Sequence, residues 1–122
     1  MNNIKEYFDN KKELEKEIKF HISKENLIKS DIAKDLVKAH LDKSKHNLSF
    51  IDSLSKQFND WKVIGLYYSL YHASLALLAN KGFVSKNHTA TLLFLIKNYS
   101  LDYEEIKLID ELSITKDDAE FY

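Results

Sequence analysis

The sequence predicts an all-α fold, a single domain built as an up-down bundle of five to six helices, and three observations carry that expectation. Helix breakers are nearly missing, with no proline and only Gly65 and Gly82 in 122 residues. Apolar residues recur at helical spacing and not in strict alternation. A hydrophobic fraction of 44% against 30% charged residues is enough to fill one core and cover it with a solvated surface.

The elements follow in order. Ile4, Tyr7, Phe8, Leu14 and Ile18 share one side of a helix expected from about Asn3 to Phe20, whose other face is Lys and Glu. It reads as a cover helix, and with the polar connector from His21 to Lys29 it forms the segment 1–29. The bundle core is expected over 30–122. Ser30 and Asp31 supply the start of a long helix carrying Ile32, Leu36, Val37, Leu41, Leu48, Ile51, Leu54 and Phe58. Asn59-Asp60 opens a central helix that ends at Lys81-Gly82, where glycine can adopt the left-handed conformation of a C-cap. A shorter helix is expected from about Asn87 to Asn98, and another from Asp102 to Leu112, begun by the capping box Asp102-x-x-Glu105. Thr115-Lys-Asp-Asp reads as the cap of a last helix. No strand is expected.

Composition excludes several chemistries. Without cysteine there is no disulfide, thiolate metal site or cysteine nucleophile. The histidines lack metal-site spacing, and two glycines cannot build a phosphate loop or a nucleophile elbow, so neither a metal nor another cofactor is expected. No stretch reaches the roughly 18 apolar residues of a membrane span and the first residues hold no apolar leader core, so a cytoplasmic protein without membrane contact is expected.

All 18 basic residues are lysines, against 19 acids, which argues against general electrostatic binding of nucleic acid. Their distribution says more. Between Asp60 and Asp102 no acid occurs, while Lys62, Lys81, Lys86 and Lys97 do. That run is either a solvated face or a phosphate-facing patch.

The central helix places large apolar or aromatic residues in nearly every direction. Tyr67, Leu70, Ala73 and Leu77 suit the core of the bundle. Trp61, Gly65, Tyr68 and His72 lie on another face, which a chain this small is expected to bury in a homodimer. His72, with Ser69 and Lys62 beside it, reads either as a structural histidine or as a general acid or base. His88 follows the Gly82 turn and is expected to cap backbone N–H groups. His40 and His46 do not share a helix face.

Residues 66–88, Leu-Tyr-Tyr-Ser-Leu-Tyr-His-Ala-Ser-Leu-Ala-Leu-Leu-Ala-Asn-Lys-Gly-Phe-Val-Ser-Lys-Asn-His, resemble the central segment of HEPN domains. The aromatic pair Tyr67-Tyr68, the step Tyr71-His72-Ala73, Ala76-Leu77-Leu78, Gly82 and Lys86-Asn87-His88 match that family's pattern in order. The resemblance covers about residues 30–122. It implies a helical module of a toxin–antitoxin or defence system, associated with RNA or a nucleotide, forming a homodimer and often accompanied by a nucleotidyltransferase-type antitoxin. For the family's metal-independent endoribonucleases it implies an Arg several residues before a catalytic His. The Arg holds the scissile phosphate and the His moves protons.

His72 matches that histidine, and Lys62, Ser69, Lys86 and His88 are the substrate-binding residues the resemblance suggests. The Arg position is Gly65, and the chain contains no arginine. Losing a transition-state donor typically costs about 10²–10³ in rate, so a degenerate nuclease motif is expected. Two alternatives stay open. One is an active ribonuclease toxin using His72 with a lysine in the Arg role. The other is an interaction scaffold for a nucleotidyltransferase, without nucleic-acid contact.

Overall fold

A computed structural model of the chain describes residues 4–121, with side chains through Asp117. Among the described residues, six α-helices and one small strand pair follow in the order α1 (Ile4–Asp9), α2 (Lys11–Ser23), β1 (Leu27–Lys29), α3 (Val37–Asp52), α4 (Asn59–Asn80), β2 (Phe83–Ser85), α5 (His88–Asn98) and α6 (Tyr103–Phe121). The fold is an all-α bundle, and no helix among the described residues is long and apolar enough to cross a membrane.

Local chemistry explains where helices begin and stop. The expected first helix, whose Asn3 lies outside the described residues, breaks at Asn10, whose side chain accepts a hydrogen bond from Glu13 N at 3.1 Å and starts α2 afresh. The expected long helix is shorter at both ends. Ala33–Leu36 is a 3-10 turn leading into α3, and Lys56–Phe58 is a second one leading into α4. At the break the Ser53 hydroxyl donates to Phe50 O at 2.6 Å, occupying a carbonyl at the helix end.

Downstream, Asn87 caps α5 by accepting from Ala90 N at 2.9 Å. Asp102 and Glu105 form the anticipated capping box, at 2.9 Å and 3.3 Å. The expected cap at Thr115 is absent because α6 runs on to Phe121. The Thr115 hydroxyl donates to Glu111 O one turn back and sits inside the helix.

The strands were not expected. Leu27 pairs with Ser85, Ile28 with Val84 and Lys29 with Phe83, antiparallel. This short ladder ties the connector to the turn after α4, and Gly82, at a φ of 85°, makes that turn possible.

The core gathers Leu14 and Ile18 of α2, Leu27, Leu78 of α4, Leu92, Leu93 and Leu95 of α5, and Ile106 and Ile109 of α6. The helix enclosed on all sides is α5, where every residue from Ala90 to Leu95 is buried. On α4 the core-facing residues are Tyr67, Ser74 and Leu78. Leu77 packs against this core as expected, while Leu70 and Ala73, expected there too, line an open groove between α4 and α6, because α6 covers only one edge of their side of the helix.

Candidate functional site

The central feature is the antiparallel seam between α3 and α4. Gly65 lies against Ile51, Ser69 against Ser44, and His72 against His40. Small side chains at 65 and 69 let the two helices approach closely, and polar groups then find partners across the gap. The Ser69 hydroxyl donates to Ser44 O at 2.9 Å and lies 3.1 Å from the Ser44 hydroxyl, so both buried serines are satisfied.

His40 Nδ1 and His72 Nδ1 are 3.3 Å apart. Their ring centroids are 5.5 Å apart and their planes differ by 26°. The centroid distance exceeds the nitrogen distance by nearly two ring radii, so the two nitrogens face each other edge to edge. One ring must then carry its proton on Nδ1 and donate while the other accepts. Two protonated rings would set N–H against N–H. Burial lowers the pKa of both histidines, and the charge of Lys43 lowers both further; His40 also depresses His72. At neutral pH the pair is uncharged and shares one Nδ1 proton. It can exchange protons, but it offers no fixed positive charge.

A second polar cluster ties α4, α5 and α6 together. Tyr67 Oη lies 3.0 Å from His88 Nδ1, and His88 Nε2 lies 3.3 Å from Asp110 Oδ1. With the carboxylate ionised, Nε2 donates to Asp110 and Nδ1 accepts from the Tyr67 hydroxyl. The Tyr71 ring stacks on Tyr67 at 5.7 Å and on His88 at 5.9 Å, and Lys116 Nζ stands 5.0 Å from the centre of the Tyr67 ring. Burial pushes the Tyr67 hydroxyl up and the His88 imidazole down, the latter against the opposing pull of Asp110. Tyr67 is only 5% exposed, so this Asp–His–Tyr chain acts as a tie between helices.

The residues singled out by sequence do not converge. Ser69 and His72 share the α3–α4 seam, while His88 lies in the second cluster with Tyr67 on another side of α4. Lys62 is in the first turns of α4, and Lys86 is exposed just after β2. His88 does not cap α5; Asn87 does. Of the expected dimer residues, Gly65 and His72 are covered by α3 of their own chain, so their burial needs no second copy. Tyr68 lies beside Lys116, and Trp61 is 53% exposed.

His40 was missed. It shares no face with His46, but an antiparallel pair turning near Lys56 sets positions equally far from the turn opposite each other, and that count brings His40 to His72. A cavity of about 420 Å³ was also missed; it is lined by Lys29, Ser30, Asp31, Lys34, Lys81 and Gly82, and of its lysines only Lys81 stood out in the sequence. Ser30 N donates to Gly82 O at 2.9 Å there, which draws the two loops together. Among the described residues no group of three or more His, Asp or Glu is arranged to hold a metal ion.

Comparison of the chain with protein-family models, with curated proteins and with solved structures finds no match.

Proposed function

We propose that the chain is a HEPN-like module associated with RNA or a nucleotide, in a toxin–antitoxin or defence setting, whose nuclease motif is degenerate and whose cleavage is weak or missing. The observation that carries this reading is the packing at the position where the resemblance calls for arginine. Gly65 has Ile51 against it, leaving no room for a side chain, and His72 meets His40 in place of a cation. A neutral imidazole pair can move a proton. It cannot hold a phosphate and stabilise its growing negative charge, which is the larger part of such catalysis. Binding is supported by the cavity bordered by Lys29, Lys34 and Lys81. A nucleotidyltransferase-type partner rests on the resemblance alone.

The test is incubation of the purified chain with labelled single-stranded RNA, with and without chelator. Cleavage should stay near background. Weak binding should fall with salt at a slope of about −2 in log K against log salt, as roughly three lysine contacts to single-stranded phosphates require. Robust metal-independent cleavage that disappears in His72→Ala would overturn this reading. It would promote the alternative, a working ribonuclease using His72 with Lys62 or Lys86 in the Arg role.

A further inference from the structure

Three lysines from three different elements border the cavity of about 420 Å³. Lys29 ends β1, Lys34 stands in the 3-10 turn that follows, and Lys81 comes directly after the last turn of α4. All three are exposed. Among the described residues none of them forms an ion pair, although Asp31 lines the same cavity and Lys38, Lys97, Lys107 and Lys116 each find a carboxylate elsewhere. One unpaired surface lysine is ordinary. Three around one hollow repel one another, and an entering anion relieves that repulsion.

Backbone hydrogen bonds fix the walls. Lys29 pairs with Phe83 in the ladder, Ser30 N donates to Gly82 O at 2.9 Å, and Ala33 N donates to Ser30 O at 3.2 Å. Ala33 is fully buried, which anchors the turn that carries Lys34. A Cβ built at Gly82 would meet nothing within 4 Å, so the glycine leaves its side of the cavity as bare backbone. Ser30 Oγ accepts from Ile32 N at 3.4 Å and keeps its own proton to donate. Lys81 Nζ stands 5.4 Å from the centre of the Tyr99 ring, a contact that steadies the side chain without neutralising it.

Charge decides which anion fits. Asp31 offsets one of the three lysines, and the C-terminal end of α4 adds roughly half a negative charge, leaving about +1.5. A phosphodiester in a strand carries a single negative charge. A terminal phosphate monoester carries about −1.5 to −2 at pH 7, on three strongly accepting oxygens. Coulomb attraction scales with the charge, so this cavity favours the monoester about twofold in energy. Its oxygens are also enough to meet both the ammonium groups and the Ser30 hydroxyl.

We infer that this cavity binds a terminal phosphate monoester, carried by a mononucleotide or by the 5′ end of an RNA strand. The inference rests on the reading of the chain as associated with RNA or a nucleotide, and adds which group of that ligand is held and where. His72 and the α3–α4 seam take no part in it, and neither Lys62 nor Lys86 lines the cavity.

The test titrates the isotopically labelled full chain with AMP and with adenosine, followed by amide NMR shifts. AMP should move the Ser30, Asp31, Lys34, Lys81 and Gly82 signals saturably, with a Kd of about 1 mM or tighter, and adenosine should not. Lys34→Glu and Lys81→Glu alter exposed side chains and should keep the helical circular-dichroism signal. Each should weaken AMP about fivefold or more, while Lys19→Glu, the same charge change on α2, should leave it unaltered. A short oligouridylate labelled at its 3′ end then separates the two sources. Preference for its 5′-phosphorylated form over the 5′-hydroxyl form, beyond that for AMP, assigns the site to RNA ends; AMP binding as tightly assigns it to mononucleotides. No saturable shift at about 10 mM AMP, adenosine binding as well as AMP, or equal effects of Lys19→Glu and the two cavity variants would overturn the inference. An oligonucleotide bound equally with and without its 5′-phosphate, together with no AMP binding, would overturn it while leaving an RNA-associated module standing. Robust cleavage would do the reverse, removing the degenerate-nuclease reading and leaving the phosphate site in place.

Discussion

Gly65 packs so closely on Ile51 that a Cβ built at position 65 would fall well inside van der Waals contact with Ile51 Cγ2. The colliding atom is a methyl on a β-branched carbon, held by a stiff χ1 rotor, so it cannot swing aside. Replacing a helix-interior glycine with alanine usually stabilises a protein by up to about 1 kcal/mol. Here the sign should reverse. Gly65→Ala should cost about 1–3 kcal/mol in urea unfolding, the scale of overpacking, and Ile51→Ala in the same chain should recover part of that loss. Gly65→Arg, the change that would restore the family residue, should separate α3 from α4 and yield no nuclease. A Gly65→Ala protein as stable as the parent would contradict the seam.

Two leucines on α4 should respond differently to truncation. Leu78 is 0% exposed within the core, whereas Leu70 borders the open groove with α6. Leu78→Ala should cost about 2–5 kcal/mol, and Leu70→Ala distinctly less, because water already reaches the space its side chain would vacate. Lys16→Ala on α2 should stay within about 0.5 kcal/mol. Equal losses at Leu70 and Leu78, measured by chemical denaturation, would refute the asymmetric cover of α4.

Helix identity was legible because it depends on short-range signals: the capping box at Asp102 and Glu105, the glycine after Lys81, the missing prolines. Breaks inside expected helices were harder to see. Asn10 and Ser53 act through single side-chain hydrogen bonds that apolar periodicity does not register. The strand pair depends on Leu27 meeting Ser85, a contact between distant segments with only three residues on each side. For the candidate site, His72 stood out as a polar residue on an apolar helix. Its partner His40 did not, because the pairing belongs to the register of two helices and not to either one. The apolar richness of α4 was read correctly as needing cover on several sides, but α3 supplies the cover for Gly65 and His72.

The Tyr67–His88–Asp110 chain makes a prediction separable from the seam. Tyr67→Phe keeps the stacked ring and removes the hydroxyl, leaving His88 Nδ1 without its donor in a largely buried place. The loss should be about 1–3 kcal/mol, the range for an unsatisfied buried polar group. Asp110→Asn should move the His88 pKa further down, since the carboxylate is what opposes the effect of burial. Histidine titration by NMR reads this directly. A His88 pKa that rises in Asp110→Asn would show that the two side chains do not interact as the geometry requires.

The histidines also fix how stability depends on pH. His21, His40, His72 and His88 all titrate below their ordinary value of 6.5 in the folded chain, with burial the largest cause in each. Between those lowered values and 6.5 the unfolded chain binds more protons than the folded one, so stability rises with pH across that window. It is fully present above about 6.5 and is lost as pH falls toward the folded-state values. The midpoint of thermal unfolding should therefore drop between pH 7.5 and pH 5.5, before the carboxylates titrate. The seam gives this a specific form, because a second proton on the His40–His72 pair sets two N–H groups against each other beside Lys43. His40→Ala removes one of the charges that lower His72, so the His72 pKa should rise toward its ordinary value, and the pH dependence of the midpoint should become shallower. A midpoint flat from pH 5.5 to 7.5, or a His72 that titrates the same with and without His40, would mean that the two rings do not face each other across the seam.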